Sequence, residues 1–420
     1  MKKLLLSMAT VPLIIGGLSV SASAADNGLN ILNDIKVKGE IRPRFETAEV
    51  SNNGKDKANA LTARTTLSIT GTLFDVKNLT TTVGIASVNN FGYTKYNSTS
   101  NGHTQYDVIV DPQQAMISEA SVDYKTGKTA LHAGRSHVNL DNQRFIGTVG
   151  WRQMERSYDS VYVADNSVEN LNLLAAWVYG FQGVKEQAEA IDTNTVLLHL
   201  DYKVMDELSI TAYDYMIANT HDTMGIALSG KVSAAGAKIN YRAEYAVQKD
   251  ATMKIHTQTP TTGKASANYM NIDVSANING LLAGVNYEVL SGAKGSDTTF
   301  TPTLGTNHKF NGWADVFYVA SNPSGGLKDA NIHLGYKAKG FGKFVVFYHD
   351  FKADTDMAAT SGNTDDLGSE IDAVYVNKIS AVKNLKGLVK YAQYSAGKAT
   401  GYTNDKKVAW LMLDYKFSVK

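Results

Sequence analysis

Residues 35–46 read Ile-Lys-Val-Lys-Gly-Glu-Ile-Arg-Pro-Arg-Phe-Glu, a stretch in which every second side chain is charged. The positions between the charges are occupied by Ile35, Val37, Gly39, Ile41, Pro43 and Phe45. Successive side chains of a strand point to opposite faces, so the stretch predicts a β-strand with one apolar and one ionic face. A helix would distribute the same charges around its circumference.

The same alternation recurs along the chain, for example at residues 61–73, 196–203, 237–248 and 409–417. We mark about eighteen such segments, most of them roughly eight to twelve residues long, and a tilted strand crosses a bilayer in roughly 9–11 residues. Helical periodicity of any length is missing after the first 24 residues. The chain is therefore expected to be all-β.

Alternating strands fit two architectures, a soluble β-sandwich and a membrane β-barrel. A sandwich turns its apolar face inward, whereas a membrane barrel turns it toward lipid and keeps the polar face for the lumen, the interior of the barrel. Dense rows of charged side chains suit a hydrated lumen, and the 22 tyrosines, many of them near strand ends, suit interfacial girdles. We predict a transmembrane antiparallel β-barrel of about 18 strands, with long extracellular loops and short periplasmic turns.

The connections between the segments support this prediction because short ones alternate with long ones. Short polar connections occur at residues 75–78, 124–128 and 338–342. Long polar ones run over residues 91–111, 182–194, 248–267, 291–309 and 354–369. This alternation is typical of bacterial outer-membrane barrels.

The first 24 residues have the features of a secretory signal peptide. Lys2 and Lys3 precede an apolar stretch over residues 4–20, and residues 22–24 (Ala-Ser-Ala) form a small-residue cleavage site. A membrane anchor is the alternative, but Pro12 breaks the apolar stretch and no charged cluster follows it. We therefore expect a signal peptide at 1–24 and one barrel domain at 25–420, surrounded by outer-membrane lipid and lipopolysaccharide.

Composition and motifs exclude several classes of function. The 41 basic and 40 acidic residues nearly balance, which argues against nucleic-acid binding. Without cysteine and without clustered histidines, neither a metal site nor a cofactor is expected. No HExxH, GxSxG, Walker A or GxGxxG motif occurs in the appropriate context. The neighbouring pairs His221-Asp222 and His349-Asp350 would point to opposite faces of a strand, so we predict no enzyme, and a barrel hydrolase is the weakest alternative.

The eight arginines are the candidate residues for lining the lumen or a constriction in it. They are Arg42, Arg44, Arg64, Arg135, Arg144, Arg152, Arg156 and Arg242. Four of them fall between residues 135 and 156, in a segment that alternates poorly. One interpretation is that this segment folds into the lumen and prefers anions through bidentate carboxylate contacts. The other is that its arginines brace the fold by pairing with Asp141, Glu155 and Asp159. Both can hold at once, and the four remaining arginines lie on polar faces in either case.

Three segments also carry a family resemblance. The first consists of residues 134–137 (Gly-Arg-Ser-His), 141–153 (Asp-Asn-Gln-Arg-Phe-Ile-Gly-Thr-Val-Gly-Trp-Arg-Gln) and 156–159 (Arg-Ser-Tyr-Asp). The others are residues 306–315, and residues 348–351 with 367–372. Together with residues 39–46 these resemble the alginate-export porin family of outer-membrane proteins, with Ser136 in place of the usual Gln. The resemblance implies an eighteen-stranded barrel that passes anionic polysaccharide or smaller solutes without energy input, and whose lumen is lined by arginines and acidic groups.

The functional prediction is a passive channel in the bacterial outer membrane for small hydrophilic or anionic solutes. Export of an alginate-type polysaccharide, which would need a periplasmic partner, and uptake of small solutes are both left open. A structural or adhesin-type barrel with a plugged lumen is the alternative, and monomer and trimer are equally open.

Overall fold

The computed structural model describes residues 31–186, 190–255, 264–293, 295, 297–318 and 323–420. The predicted signal peptide lies outside these residues. Within them the chain consists of strands, loops and a short 3-10 helix at Asn307–Lys309. None of the described residues belongs to a helix long and apolar enough to cross a membrane.

Eighteen strands form one closed wall in which each strand is antiparallel to its neighbours. They are β1 (Leu32–Val50), β2 (Ala58–Leu73), β3 (Leu79–Asn89), β4 (Gln114–Thr126), β5 (Thr129–Ser136), β6 (Ser157–Asp165), β7 (Leu171–Gln182), β8 (Ile191–Met205), β9 (Leu208–Ile217), β10 (His221–Ala234), β11 (Ala237–Lys249), β12 (Lys264–Ile278), β13 (Leu281–Ser291), β15 (Gly326–Ala338), β16 (Gly342–Ala359), β17 (Gly362–Lys378), β18 (Leu385–Ser395) and β19 (Lys406–Val419). The short strand β14 (Asp297–Thr298) lies in a loop and pairs with the start of β12.

The first and last strands close the barrel. β1 pairs with β2 on one side and with β19 on the other, and Glu46 lies opposite Trp410 across the β1–β19 seam. Closure matters because hydrocarbon cannot satisfy the hydrogen-bonding groups of a free strand edge. The predicted fold class is confirmed, and the sandwich alternative is wrong.

The faces of the wall are inverted relative to a soluble protein. Leu334 on β15 is 64 % exposed on the outside, whereas Arg44 on β1 is 1 % exposed inside. Apolar side chains thus form the surface that faces lipid, and charged side chains are packed within the lumen. The alternation read in residues 35–46 therefore corresponds to lipid and lumen, as expected for a membrane barrel.

One predicted loop is instead a β-hairpin. Residues 354–369 belong to β16 and β17, which continue past the membrane and turn at residues 360–361. At 18 and 17 residues, these strands are longer than a bilayer crossing of roughly 9–11 residues requires. Their outer ends stand in water on both faces, so the polarity alternation that reveals a transmembrane strand is absent there.

Candidate functional site: two loops inside the barrel

Two loops fold into the lumen and lie against each other. The first inner loop (residues 137–156) joins β5 to β6, and the second inner loop (residues 299–318) belongs to the connection between β13 and β15. Ile146 forms a parallel bridge with Leu304, and the Gly147 amide donates a 2.9 Å hydrogen bond to the Leu304 carbonyl. The pair therefore behaves as one irregular layer inside the barrel.

Arginines of β1 fix the first inner loop to the wall through its backbone. Arg42 donates to the carbonyl oxygens of Gly150 at 2.9 Å and Arg152 at 2.5 Å, and Arg44 donates to that of Trp151 at 2.6 Å. Irregular backbone that is buried must find partners for its carbonyl groups, and a guanidinium offers five donors in a fixed plane. The polar face of β1 thus supplies the hydrogen bonds that the loop cannot make internally.

Carboxylates complete this attachment. Arg64 on β2 lies between Glu40, at 2.5 Å, and Glu155 of the first inner loop, at 2.6 Å. Burial by itself would raise the pKa of the Glu155 carboxyl, but the adjacent Arg64 guanidinium holds that pKa below its usual value. Glu155 is therefore ionised at neutral pH and forms a true ion pair with the wall.

The same loop is also attached to the opposite side of the barrel. Arg144 pairs with Glu288 on β13 at 2.8 Å and donates to Asn311 of the second inner loop at 2.8 Å. Arg242 on β11 pairs with Asp141. Because β1 and β11 lie on opposite sides of an eighteen-stranded wall, the first inner loop spans the lumen.

Two further arginines join the inner loops to each other. Arg152 pairs with Asp315 at 2.6 Å and with Glu46 on β1 at 3.2 Å. Arg156 donates to the Leu304 carbonyl oxygen at 2.5 Å. Arg144, Arg152 and Arg156 therefore make contacts of three kinds: with the barrel wall, with the second inner loop and within the first inner loop.

Lys390 on β18 is a site residue that sequence reasoning missed. Its Nζ lies 3.8 Å from the ring centre of Trp313, 4.1 Å from Trp151 and 5.2 Å from Trp410, and 2.7 Å from His308 Nε2. Burial lowers the pKa of His308 to about 3, so a neutral imidazole faces the ammonium. Cation–π contacts with desolvated indoles stabilise such a lysine and fix both inner loops to β18. The signal available beforehand was that the chain has only four tryptophans.

Arg135 does not line the lumen, and its assignment there was wrong. It lies on the same face of β5 as Leu131, which is 42 % exposed toward lipid. Its partner Asp159, at 2.6 Å, lies on the outward face of β6 together with Val161. β5 continues through Ser136, so strand alternation still governs position 135 and turns it outward.

The other seven predicted arginines lie inside the barrel, where contacts rather than open water surround them. Seven of the chain's eight arginines, Arg135 among them, are within ion-pair distance of a carboxylate. Arg144, like Arg44, is only 1 % exposed. Such contacts are typical of arginines that hold a fold together. That these arginines form a constriction preferring anions stays a prediction.

Two cavities border the inner loops. The first cavity, about 980 Å³, is formed by β1–β4 and β17–β19 together with His137 and Glu155. Its basic lining consists of Lys38, Arg64, Lys378, Lys383, Lys386 and Lys416. The second cavity, about 710 Å³, is formed by β11–β13, β15, β16 and β18 together with residues of both inner loops. Gly150 lines the second cavity and lies beside Glu155, which lines the first, so the loop separates the two.

Comparison with solved structures identifies the fold. The chain is similar to OpdO of Pseudomonas aeruginosa, with 11% identity, a TM-score of 0.71 and coverage of 93% of this chain and 99% of that one. It is also similar to OccK8 (OprE), at 13% identity, TM-score 0.68 and coverage of 93% and 100%, and to OpdK solved with vanillate, at 12%, 0.69, 93% and 100%. No family model and no curated protein matches. The chain has the fold of an outer-membrane porin.

At these identities the comparison shows the fold alone. Together with the closed wall it places the protein in the bacterial outer membrane. The neighbours are porins of the OprD/Occ type, and the alginate-export family expected from the motifs is not shown. Residue roles therefore have to be argued from the geometry of this chain.

The lumen also contains a hydrogen-bonded chain that could be mistaken for a catalytic one. His132 Nδ1 lies 2.8 Å from Asp123, and its Nε2 lies 3.1 Å from the Ser136 hydroxyl. The His132 side chain is buried and stacks on Tyr162, with ring centres 4.3 Å apart. Because the imidazole is packed into the wall, this chain is explained as bracing of the β4–β6 wall.

Among the described residues no group of three acidic, histidine or cysteine side chains could hold a metal.

Proposed function

We propose that the protein is a passive outer-membrane channel for small hydrophilic solutes and that its first cavity favours anions. The observation that carries the proposal is the lining of that cavity, in which six basic side chains face four acidic ones. A space enclosed by a low-dielectric wall focuses the field of such an excess and raises the local concentration of anions.

Lysines rather than arginines supply this preference. Arg64 is neutralised by Glu40 and Glu155, whereas Lys378 and Lys386 are exposed at the end of the barrel that carries the short turns. An ammonium on a flexible stem can follow a passing anion without ordering a fixed site. The arginines hold the inner loops in place, and the lysines act on the solute.

Export of an anionic polysaccharide has less support. It rests on the three resembling motifs alone, and the first inner loop spans the lumen between β2 and β13 through Arg64–Glu155 and Arg144–Glu288. A periplasmic export partner has no further support either. We therefore limit the proposal to solutes small enough to pass beside this loop.

Single-channel recording of the refolded barrel in planar bilayers under a salt gradient tests the proposal. We expect ohmic steps and a reversal potential biased toward anions, which shifts toward zero when Lys378 and Lys386 are both replaced by glutamine. The control is Lys339→Gln, a lysine in a short turn outside both cavities. A folded protein that gives no conductance would instead favour the structural or adhesin-type barrel.

A further inference from the structure

The second cavity differs from the first in the chemistry of its wall. Three neighbouring strands each place a carboxamide in it: Asn271 on β12, Asn286 on β13 and Asn331 on β15. Asn286 lies directly opposite Asn331, and the Asn331 amide donates to the Asn286 oxygen at 3.2 Å. The Asn331 amide also lies 3.4 Å from Asp329, and the Asn286 amide lies 3.4 Å from the Ile272 carbonyl oxygen, so both amides are engaged within the wall. A carboxamide oxygen has two lone pairs, so the oxygens of this pair retain capacity to accept hydrogen bonds from a ligand.

The charges around the second cavity are largely engaged with one another. Glu288 is paired with Arg144, and Asp329 lies 2.9 Å from His349 Nδ1. Arg242 is held between Asp141 and Glu244, the latter at 2.9 Å. Basic and acidic lining residues are equal in number, three of each. The cavity therefore offers a solute neutral hydrogen-bonding groups rather than a net field.

Aromatic faces lie beside the carboxamides. Trp313 of the second inner loop and Phe347 on β16 both line the cavity and pack edge to face at 5.2 Å. Both are only partly buried. His333 lies 4.9 Å from Phe347 and continues the ring surface toward Asn331 along β15. An aromatic face next to neutral amides combines apolar contact with directional hydrogen bonds.

We propose that the second cavity binds a neutral polyhydroxylated solute, a small sugar or polyol. Its hydroxyl groups would donate hydrogen bonds to the carboxamide oxygens of Asn286 and Asn331, and the carboxylate of Asp273, opposite Asn286, adds a further acceptor. The C–H faces of a sugar ring would rest on Phe347 and Trp313. The volume of about 710 Å³ is within the range of small-molecule sites. This inference deepens the proposed channel function and rests on it for access to the solute.

The experiment compares maltose with glucuronate on the refolded full-length barrel. Maltose is expected to interrupt single-channel current and to bind the detergent-solubilised protein in calorimetry. Asn286→Ala with Asn331→Ala should raise the dissociation constant for maltose about tenfold, as the loss of two net hydrogen bonds predicts. Glucuronate block should be unchanged in this variant. Phe347→Leu, which keeps the site apolar but removes the ring, should weaken maltose severalfold and covers the case in which the double variant does not fold.

The matched control is Thr66→Ala with Ser68→Ala, which removes two polar groups from the first cavity instead. It should leave maltose binding unchanged. Maltose affinity that is the same in wild type and in both second-cavity variants overturns the inference, as does weakening of glucuronate alone. A barrel that conducts but is never blocked by maltose also overturns it and leaves the channel function standing. A barrel that is silent but binds maltose with this variant pattern supports the site and removes the channel.

Discussion

The two cavities are built on the same wall, yet charge is handled differently in each. On the first-cavity side, β1 and β2 place Glu40, Arg42, Arg44, Glu46 and Arg64 on one inward face, and the first inner loop is attached to them by ion pairs and carbonyl contacts. On the second-cavity side the inward faces alternate carboxamides, histidines and aromatic rings with fewer charges. The comparison indicates that, in such a barrel, one part of the wall can hold the inner loops while another part is free to bind a solute.

The largest expected effect concerns attachment. Arg44→Ala removes one of the two arginines that neutralise the buried Glu46 and Asp111, and Arg152 remains at 3.2 Å from Glu46 and 3.9 Å from Asp111. The loss of one member of a buried ion pair costs on the order of 3–5 kcal/mol, and because Arg152 remains we expect the lower end of this range. We expect a lower urea midpoint for unfolding in detergent and noisier single-channel current, because the Trp151 carbonyl also loses the shorter of its two arginine contacts and keeps only Arg42 at 3.3 Å.

The matched control for this variant is Lys416→Ala, which removes an exposed cation 3.8 Å from Glu40. An exposed pair contributes roughly 0–1 kcal/mol, so the midpoint should hardly move. Equal destabilisation by the two substitutions would show that the attachment of the loop does not depend on the Arg44 contacts.

Acidification should loosen the inner loops through His308. Its pKa is about 3 in the folded protein because of burial, against 6.5 for the free side chain, so the unfolded chain takes up a proton first as the pH falls. The stability that the neutral imidazole contributes is complete above pH 6.5 and declines below it. Between pH 7 and pH 5 the loss is roughly 2 kcal/mol, at about 1.36 kcal/mol for each pH unit below 6.5.

Urea unfolding at the two pH values measures this loss. Arg152, Asp315 and Lys390 face the same imidazole, and of these Arg152 and Asp315 keep their charges between pH 7 and pH 5. His308→Gln keeps a polar group in place without the titration and should flatten the pH dependence. An equally steep dependence in that variant would assign it to another group.

A smaller effect is expected on selectivity from the arginines of the first inner loop. Arg152→Ala leaves Asp315 without its arginine and Glu46 with Arg44 alone, and Arg144→Ala leaves the buried Glu288 without its cation. Each substitution adds uncompensated negative charge beside the lumen, so the reversal potential in a salt gradient should shift away from anions. An unchanged reversal potential in both variants would mean that these arginines only brace the loop.

The sequence predicts the wall well and the inner loops poorly, for a physical reason. Residues 35–46 alternate because one face of the strand meets lipid and the other meets the polar lumen. The same alternation is visible wherever a strand crosses the bilayer. The 354–369 hairpin is missed because both faces meet water. The contacts of residues 137–156 are missed because they join positions more than a hundred residues apart, such as Arg42 with Gly150 and Arg144 with Glu288. No local periodicity encodes which wall residue such a loop will meet.

The smallest expected effect belongs to Arg135, and it tests the boundary between the lumen and the lipid face. The Arg135–Asp159 pair is outside the lumen, so Arg135→Ala should leave the reversal potential and maltose block unchanged. Loss of a partly exposed pair that also contacts Gln182 should lower the free energy of unfolding by about 1 kcal/mol. If this substitution instead changes the selectivity as much as Arg152→Ala does, the strand parity assigned to β5 is wrong and the pair belongs to the lumen. The outcome therefore shows whether sequence alternation alone predicts which face a side chain occupies at the end of a strand, where an inner loop begins.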